Sequence, residues 1–369
     1  MFERRLFFHV DWLLVGAVLL LCAIGVAMIY STTYVTVPNG PGHPGAYFRT
    51  QTYALALGLV ALLICLVVDY RVLAEHSLLV YGSLIVMLLF VLLKGQTQMG
   101  GQRWIPVGPY HLQPSEFGRI AVALILAMYF GENRRGARNT GDLIIAGVFT
   151  IVPLALIAKQ PDLGTAVTLI PVYLGVAYLA GLRLRLLAVF AIIAALMAPI
   201  AWHYALKDYQ KQRIQTFLDP EQDPRGAGYQ TIQARITVGS GGLTGKGFRQ
   251  GTQGQYKFLP VAHNDFIFSV LAEEEGFLGV LTALGLYLFV ILRSLEAARL
   301  AKDRLGAYLV GGIIGGFAFQ VIYNVTMSAG LAPVKGITLP LMSYGGSSLV
   351  ATLAGFGLIL NVRMRRFTN

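Results

Sequence analysis

Long apolar stretches separated by short polar ones run along the whole chain. A bilayer-crossing helix needs about twenty mostly apolar residues. Ten windows qualify: 11–30, 52–68, 77–94, 114–130, 142–159, 163–180, 184–206, 264–293, 305–330 and 344–362. Most are apolar on every side rather than along one stripe, the pattern of a helix facing lipid. The short alternating strands of a membrane barrel do not fit this pattern, and no short-period repeat is visible. The expected fold is an all-α integral membrane protein of about ten transmembrane helices, one polytopic domain over residues 1–369. Between the seventh and eighth windows lies one long loop, 207–263, too polar to span. A loop of this length is usually functional or disordered, and its Gly, Gln and aromatic content favours function. Within it DPEQDPRGAG is rich in turn residues, and QTIQARITVGSGG suits a short interfacial helix.

Composition agrees with the pattern. The chain is 56% hydrophobic and 13% charged, against about 45–50% and about 25% in soluble domains. Soluble enzyme folds and disorder are both excluded. The net charge is +11, from 29 basic and 18 acidic residues. In a membrane protein such an excess sets topology and meets anionic lipid, so no nucleic-acid partner is expected. With the N-terminus inside, the inner segments carry fifteen Lys and Arg and the short outer loops five; eight lie in the long loop and Arg119 lies within a span. Long loops vote weakly on orientation. Fifteen against five therefore puts both termini in the cytoplasm and the long loop outside. The first window is too long for a signal-peptide core and lacks a clear cleavage site, so it reads as an uncleaved span. Cys22 and Cys65 lie inside apolar windows and read as small buried hydrophobes.

Four polar groups stand where polarity is expensive, since an ionisable residue inside a span costs about 2.5–3.5 kcal/mol on insertion scales. In LQPSEFGRIAV, Glu116 and Arg119 are three apart and can pair on one helix face; a structural ion pair and a functional one are equally compatible with that spacing. In KQPDLGTA, Asp162 precedes an apolar helix, and a plain N-cap explains it as a single feature. In HNDFIFSVLAEEEGFLG, Asp265 opens the eighth span beside His263. Glu273, Glu274 and Glu275 follow about 12–15 Å along the helix. At about 100° per residue Glu273 and Glu275 flank the Asp265 direction and Glu274 points away. An Asp opening a span with three further carboxylates fits a polar cavity better than decoration. In LPLMSYGGSS, Ser343, Gly345, Gly346 and Ser347 precede the last span. Such a helix start offers free N–H groups to anions, although capping and close packing explain it equally simply. No HExxH zinc motif occurs, and GGLTGKGF does not meet the Walker A pattern.

Five segments, RWIPVGPYHLQPSEFGRI, AKQPDLGTA, YQKQRIQTFLDPEQDPRGAGYQTIQARITVGSGGLTGKGF, GTQGQYKFLPVAHNDFIFSVLAEEEG and LPLMSYGGSS, appear in this order. Together they resemble the SEDS family (shape, elongation, division and sporulation), nearer its elongation branch than its division branch, over nearly the whole chain. The resemblance implies a ten-helix peptidoglycan glycosyltransferase of the bacterial inner membrane. Such proteins polymerise lipid II on the outer face and release undecaprenyl pyrophosphate. They act beside a class B penicillin-binding protein, which crosslinks the glycan, and other elongation-complex proteins. The family's essential Asp falls on Asp265. The chain departs from the family pattern at Arg119, where Lys is usual, at Asn264 for Thr and at Val261 for Glu.

Given that reaction, Asp265 is the expected general base towards the acceptor hydroxyl. The leaving pyrophosphate needs positive charge, for which Arg119, oriented by Glu116, and Arg213, Lys246, Arg249 and Lys257 on the loop are candidates. Asp162 can hold the acceptor, orient a cation or bind a divalent ion; Mg or Mn is the alternative source of charge, and no cofactor is certain. Glu273 can line a lipid groove or pair with a basic residue. A lipid-linked sugar flippase is the competing reading, because intramembrane charges also mark carriers. A carrier's key charge belongs near the midplane, whereas Asp265 is at the outer edge. A mere scaffold leaves Glu116, Arg119 and Glu273 unexplained. Gly311, Gly312, Gly315 and Gly316 form a small-residue face, open either to internal packing or to the partner's membrane helix.

Overall fold

The architecture comes from a computed structural model that describes residues 9–34, 43–98, 101–108, 110–132, 140–183, 208–222, 228–256 and 258–367, with scattered positions between 185 and 203. In chain order the helices are α1 (Trp12–Thr33), α2 (Ala46–Val67), α3 (Tyr70–Glu75), α4 (Ser77–Lys94), α5 (Gly118–Glu132), α6 (Thr140–Lys159) and α7 (Leu163–Leu179). They continue with α8 (Asp208–Leu218), α9 (Tyr229–Ser240), α10 (Thr252–Gln255), α11 (Ile267–Arg299), α12 (Arg304–Ser328) and α13 (Gly346–Met364). Seven of these, α1, α2, α4, α6, α11, α12 and α13, are long and apolar enough to cross a membrane, and α7 is a shorter apolar helix. A 3-10 turn, Pro114–Phe117, leads into α5. Nine expected windows thus fall on helices. The window 184–206 lies mostly outside the described residues.

Two departures from the expected pattern have physical causes. α2 starts at Ala46 rather than 52 because its polar first turns are paired: the buried Gln51 amide donates to Ser343 O (3.2 Å) and accepts from Gly345 N (3.1 Å). Between α4 and α5 the chain forms a small antiparallel sheet, β1 (Gln96–Gln98), β2 (Gly101–Val107) and β3 (Tyr110–Leu112), in that order. β1 and β3 are three residues long, and the seven residues of β2, GQRWIPV, do not alternate strictly, so periodicity does not reveal the sheet.

α13 is the centre of the bundle. It is the least apolar of the seven spans, yet 94% of its most apolar window is buried. Protein rather than lipid surrounds it, so small and polar residues serve there. A Cβ on Gly357 would lie 2.5 Å from Leu62 O, which lets α13 close on α2. The glycine face of α12 packs internally against α7. A Cβ on Gly315 would meet Pro171 O at 2.6 Å, and one on Gly175 would meet Gly311 O at 2.5 Å. At the end of the bundle where α1 begins and α13 ends, Asp11 caps α1 and pairs with Arg293 (2.9 Å) and Arg363 (3.0 Å). Both arginines also meet Glu296.

At the opposite end lies the long loop. Its α9 segment is the expected short helix, anchored where Arg235 donates to Gly330 O at 2.7 Å. α11 breaks at Gly276 (φ 65°, ψ −163°), a region essentially reserved for glycine. The chain 241–247 threads against the break. Lys246 N and Gly247 N donate to Glu273 O and Glu274 O, both at 2.9 Å. On the far side Phe277 N and Leu278 N donate to Gly242 O and Leu243 O, at 2.9 and 3.2 Å.

Candidate functional site

Asp265 sits in the turn before α11, where its N–H and that of Asn264 both donate to Val261 O (3.2 and 3.0 Å). Its carboxylate accepts from Asn264 Nδ2 at 2.9 Å and is half-buried. Its backbone carbonyl is held by Asn324 on α12, whose fully buried amide donates to Asp265 O (2.9 Å) and Ile337 O (2.7 Å). The segment Lys335–Ile337 therefore runs beside Asp265 as a floor. Gly336 within it is exposed and has φ +64°; a Cβ there would lie 3.6 Å from Asp265 Oδ2. His263 packs in a triangle of rings with Tyr47 and Tyr344, its centroid 4.4 and 5.6 Å from theirs, which lie 5.0 Å from each other. Burial pushes its imidazole below the usual range, so it is neutral at pH 7 and acts as a packing and polar group rather than a cation.

The same floor meets the start of α7. A Cβ on Gly164 would lie 2.7 Å from Lys335 O. Asp162 caps α7 as expected, accepting from Thr165 N at 3.2 Å. It is also more than a cap. Gln113 Nε2 donates to its Oδ2 at 2.9 Å, and Arg103 Nη1 stands 3.7 Å from Oδ1. Gln113 N in turn donates to Ser347 Oγ (3.0 Å). The starts of the Pro114 turn, α7 and α13 therefore converge on the Gln113 side chain and backbone. Nearby, Ser343 Oγ accepts from Leu339 N at 2.9 Å, and Gly346 opens α13.

Below this convergence Arg119 and Glu116 form the expected pair at 2.8 Å, both buried. Arg119 also donates to Gln320 on α12, and Glu116 lies within electrostatic reach of Asp162. The other carboxylates turn towards the loop and α1. Glu273 accepts from Lys246 Nζ (2.6 Å), Thr252 N (2.9 Å), Thr252 Oγ1 (3.0 Å) and Gln253 N (3.2 Å). It thus caps the α10 turn from across the structure. Glu274 accepts from Ser31 Oγ at 2.5 Å. Arg249 stacks on Tyr34 with its guanidinium carbon 3.8 Å from the ring centroid. Arg213 falls on α8, where only the backbone is described, and Lys257 lies outside the described residues. Among the described residues no three His, Cys, Asp or Glu side chains converge to hold a metal ion.

The side chains that hold the candidate site together and that sequence reasoning passed over are mostly uncharged amides: Gln51, Gln113, Gln320 and Asn324. A signal existed for two of them, because Gln320 and Asn324 are four apart in an apolar window and share a helix face. Arg103 gave only a basic position in a loop.

Residues 11–367 match the family described as cell cycle protein, FtsW/RodA/SpoVE. The peptidoglycan glycosyltransferase MrdB of Escherichia coli (strain K12) is 39% identical over 341 residues, covering 92% of this chain and 91% of its own. The peptidoglycan glycosyltransferase RodA of Treponema pallidum (strain Nichols) is 31% identical, with 96% and 98% covered. Among solved structures, a chain from a peptidoglycan synthase complex that coordinates polymerization and crosslinking superposes with a TM-score of 0.83 at 34% identity, over 98% of this chain and 99% of that one. Thermus thermophilus RodA, a rod shape determining protein, superposes at 0.71 with 30% identity over 98% of each chain.

Proposed function

The chain belongs to the SEDS family and is a multi-pass membrane peptidoglycan glycosyltransferase of the RodA and MrdB type, and from this premise we propose that it polymerises lipid II over the Lys335–Ile337 floor with Asp265 as general base. The carrying observation is a half-buried carboxylate fixed through its backbone by Asn324 and standing beside an exposed glycine, where a bulky sugar can approach. The acceptor 4-hydroxyl passes its proton to Asp265 while its oxygen bonds the anomeric carbon of the donor. The bond from that carbon to the pyrophosphate breaks, and undecaprenyl pyrophosphate leaves with the electron pair. The configuration inverts, as when an inverting glycosidase activates water, with the acceptor sugar in place of water.

Asp162, Gln113 and the start of α13 (Ser343, Gly345, Gly346, Ser347) form the polar wall on the other side of the floor. The Glu116–Arg119 pair sets the field beneath it. Lys246 and Glu273 neutralise each other and hold the loop in place. If Mg or Mn assists departure of the pyrophosphate, Asp162 is the ligand this wall offers. The cell location follows the charge count: the bacterial inner membrane, termini in the cytoplasm, Asp265 on the outer face. The expected partners are a class B penicillin-binding protein, engaged through membrane helices, and other elongation-complex proteins. The relative seen in a peptidoglycan synthase complex supports a crosslinking partner.

The test is polymerisation of labelled lipid II by the purified chain, with and without the partner, resolved on gels. Parent protein gives glycan and a normally folded Asp265→Asn gives none. Undiminished glycan from Asp265→Asn removes this base from the mechanism. Lipid II crossing liposomes without any glycan favours a flippase.

A further inference from the structure

We propose that Arg103 binds the pyrophosphate of the lipid-linked donor, an assignment that rests on the glycosyltransferase reading and adds a cation to its site. Pyrophosphate leaves with negative charge, which a preorganised cation stabilises. Three of the cations that the sequence brings forward are otherwise engaged in the described structure. Arg119 lies buried between Glu116 and Gln320, Lys246 is held by Glu273 and Thr252, and Arg249 stacks on Tyr34. Arg103 is different in place and in geometry. It stands on β2 at the loop end, with its side chain 29% exposed, against a 5% exposed Asp162.

The donor inventory favours a bound anion. A guanidinium has five N–H groups. Arg103 Nε donates to Gln160 O at 3.2 Å, and Nη2 donates to Pro161 O. Nη1 stays 3.7 Å from Asp162 Oδ1, beyond hydrogen-bond distance. Two carbonyls thus fix the plane of the fork and Asp162 orients it by charge. Among the described residues no further acceptor takes its remaining N–H groups. A planar fork with paired N–H groups matches phosphate oxygens in a way an ammonium does not. The backbone makes room for this posture: a Cβ on Gly101 would fall 2.3 Å from Arg103 Nε and 2.8 Å from Cζ. The fork is also in register with the reaction. Asp162 opens the helix whose Gly164 packs on Lys335, and Gly336 of the same floor adjoins Asp265.

The experiment uses the full chain in nanodiscs and inorganic pyrophosphate as probe, with sulfate at equal ionic strength as reference. Binding is read by calorimetry, and inhibition of lipid II polymerisation is read in parallel. The parent binds pyrophosphate in preference to sulfate. Arg103→Ala weakens that binding about tenfold to a hundredfold, the range for a lost charge-assisted contact. Arg103→Lys falls between the two, because charge is kept and the fork is lost. Gly101→Ala, which keeps the arginine but displaces its guanidinium, weakens binding in the same direction. Unchanged affinity in a folded Arg103→Ala, or no preference for pyrophosphate in the parent, overturns the assignment. Binding that depends on Arg103 in a parent that makes no glycan keeps the anion site and removes the reaction.

Discussion

Replacing Gly276 with alanine tests whether the long loop is locked into the break of α11. The residue has φ 65° and ψ −163°, where a side chain costs about 1–3 kcal/mol in strain. Its Cβ would also fall 2.2 Å from Gly245 N and 2.7 Å from Leu243 O, both backbone atoms that cannot swing aside. The threaded segment must back away, and four backbone hydrogen bonds of 2.9–3.2 Å across the break are at risk. Losing even one buried bond of this kind costs about 1–3 kcal/mol. Strain and one or two lost bonds sum to about 2–9 kcal/mol, a large share of the typical 5–15 kcal/mol of a whole domain. Lys246 and Arg249 lie in or beside the threaded segment and report its opening to trypsin. With opening faster than cleavage, about 3 kcal/mol raises the cleavage rate about a hundredfold. Glycan synthesis falls in parallel. Gly285→Ala is the control, because Gly285 lies in the same helix with open space around its Cβ, and alanine there is neutral or stabilising by up to about 1 kcal/mol. A Gly276→Ala protein as trypsin-resistant as the parent refutes the locked loop.

Three further outcomes follow from the same geometry. Asn324→Ala removes both donors that tie Asp265 O to Ile337 O; kcat for lipid II falls about tenfold to a hundredfold with KM little changed, and an equal loss in both would make Asn324 a simple packing residue. Arg119→Met leaves Glu116 buried without its cation and destabilises by about 3–5 kcal/mol, whereas the Glu116→Gln/Arg119→Met double variant recovers much of this in thermal unfolding; additive losses would contradict a coupled pair. The imidazole of His263 is pushed below its ordinary value by burial. Below about pH 6.5 the unfolded chain therefore binds a proton that the folded chain refuses, and stability declines as pH falls through the folded value. Melting curves from pH 7.5 to 5 should show this loss in the parent and less of it in His263→Phe; parallel curves would remove His263 as its source.

Much of the site was visible in the sequence as charge in the wrong solvent. Glu116, Arg119, Asp162 and Asp265 stood out because ionised groups in or at the edge of apolar windows demand partners. The Glu116–Arg119 pair could even be drawn from spacing, since three residues on a helix bring side chains together. The destination of Glu273 could not. Its partners Lys246, Thr252 and Gln253 lie 20 or more residues earlier in the chain, beyond the reach of any helical spacing. The uncharged amides were hidden for another reason. Gln51, Gln113, Gln320 and Asn324 carry no charge to raise an alarm, yet each fixes a backbone or side chain of the site.

The sequence by itself determined the membrane solvent, the helical spans that suit it and the family to which the motifs point. These follow from local composition, because a helix satisfies its own backbone bonds and a bilayer rewards about twenty apolar residues wherever they occur. Tertiary structure decided which span is central and which faces lipid. α13 is the least apolar span and the most buried, because its surroundings are protein. It also turned the α12 glycines towards α7, folded the short sheet that presents Arg103, and brought Asp162, Asn324 and Asp265 to one floor. Those arrangements depend on pairings between residues far apart in the chain, which neither periodicity nor hydropathy encodes.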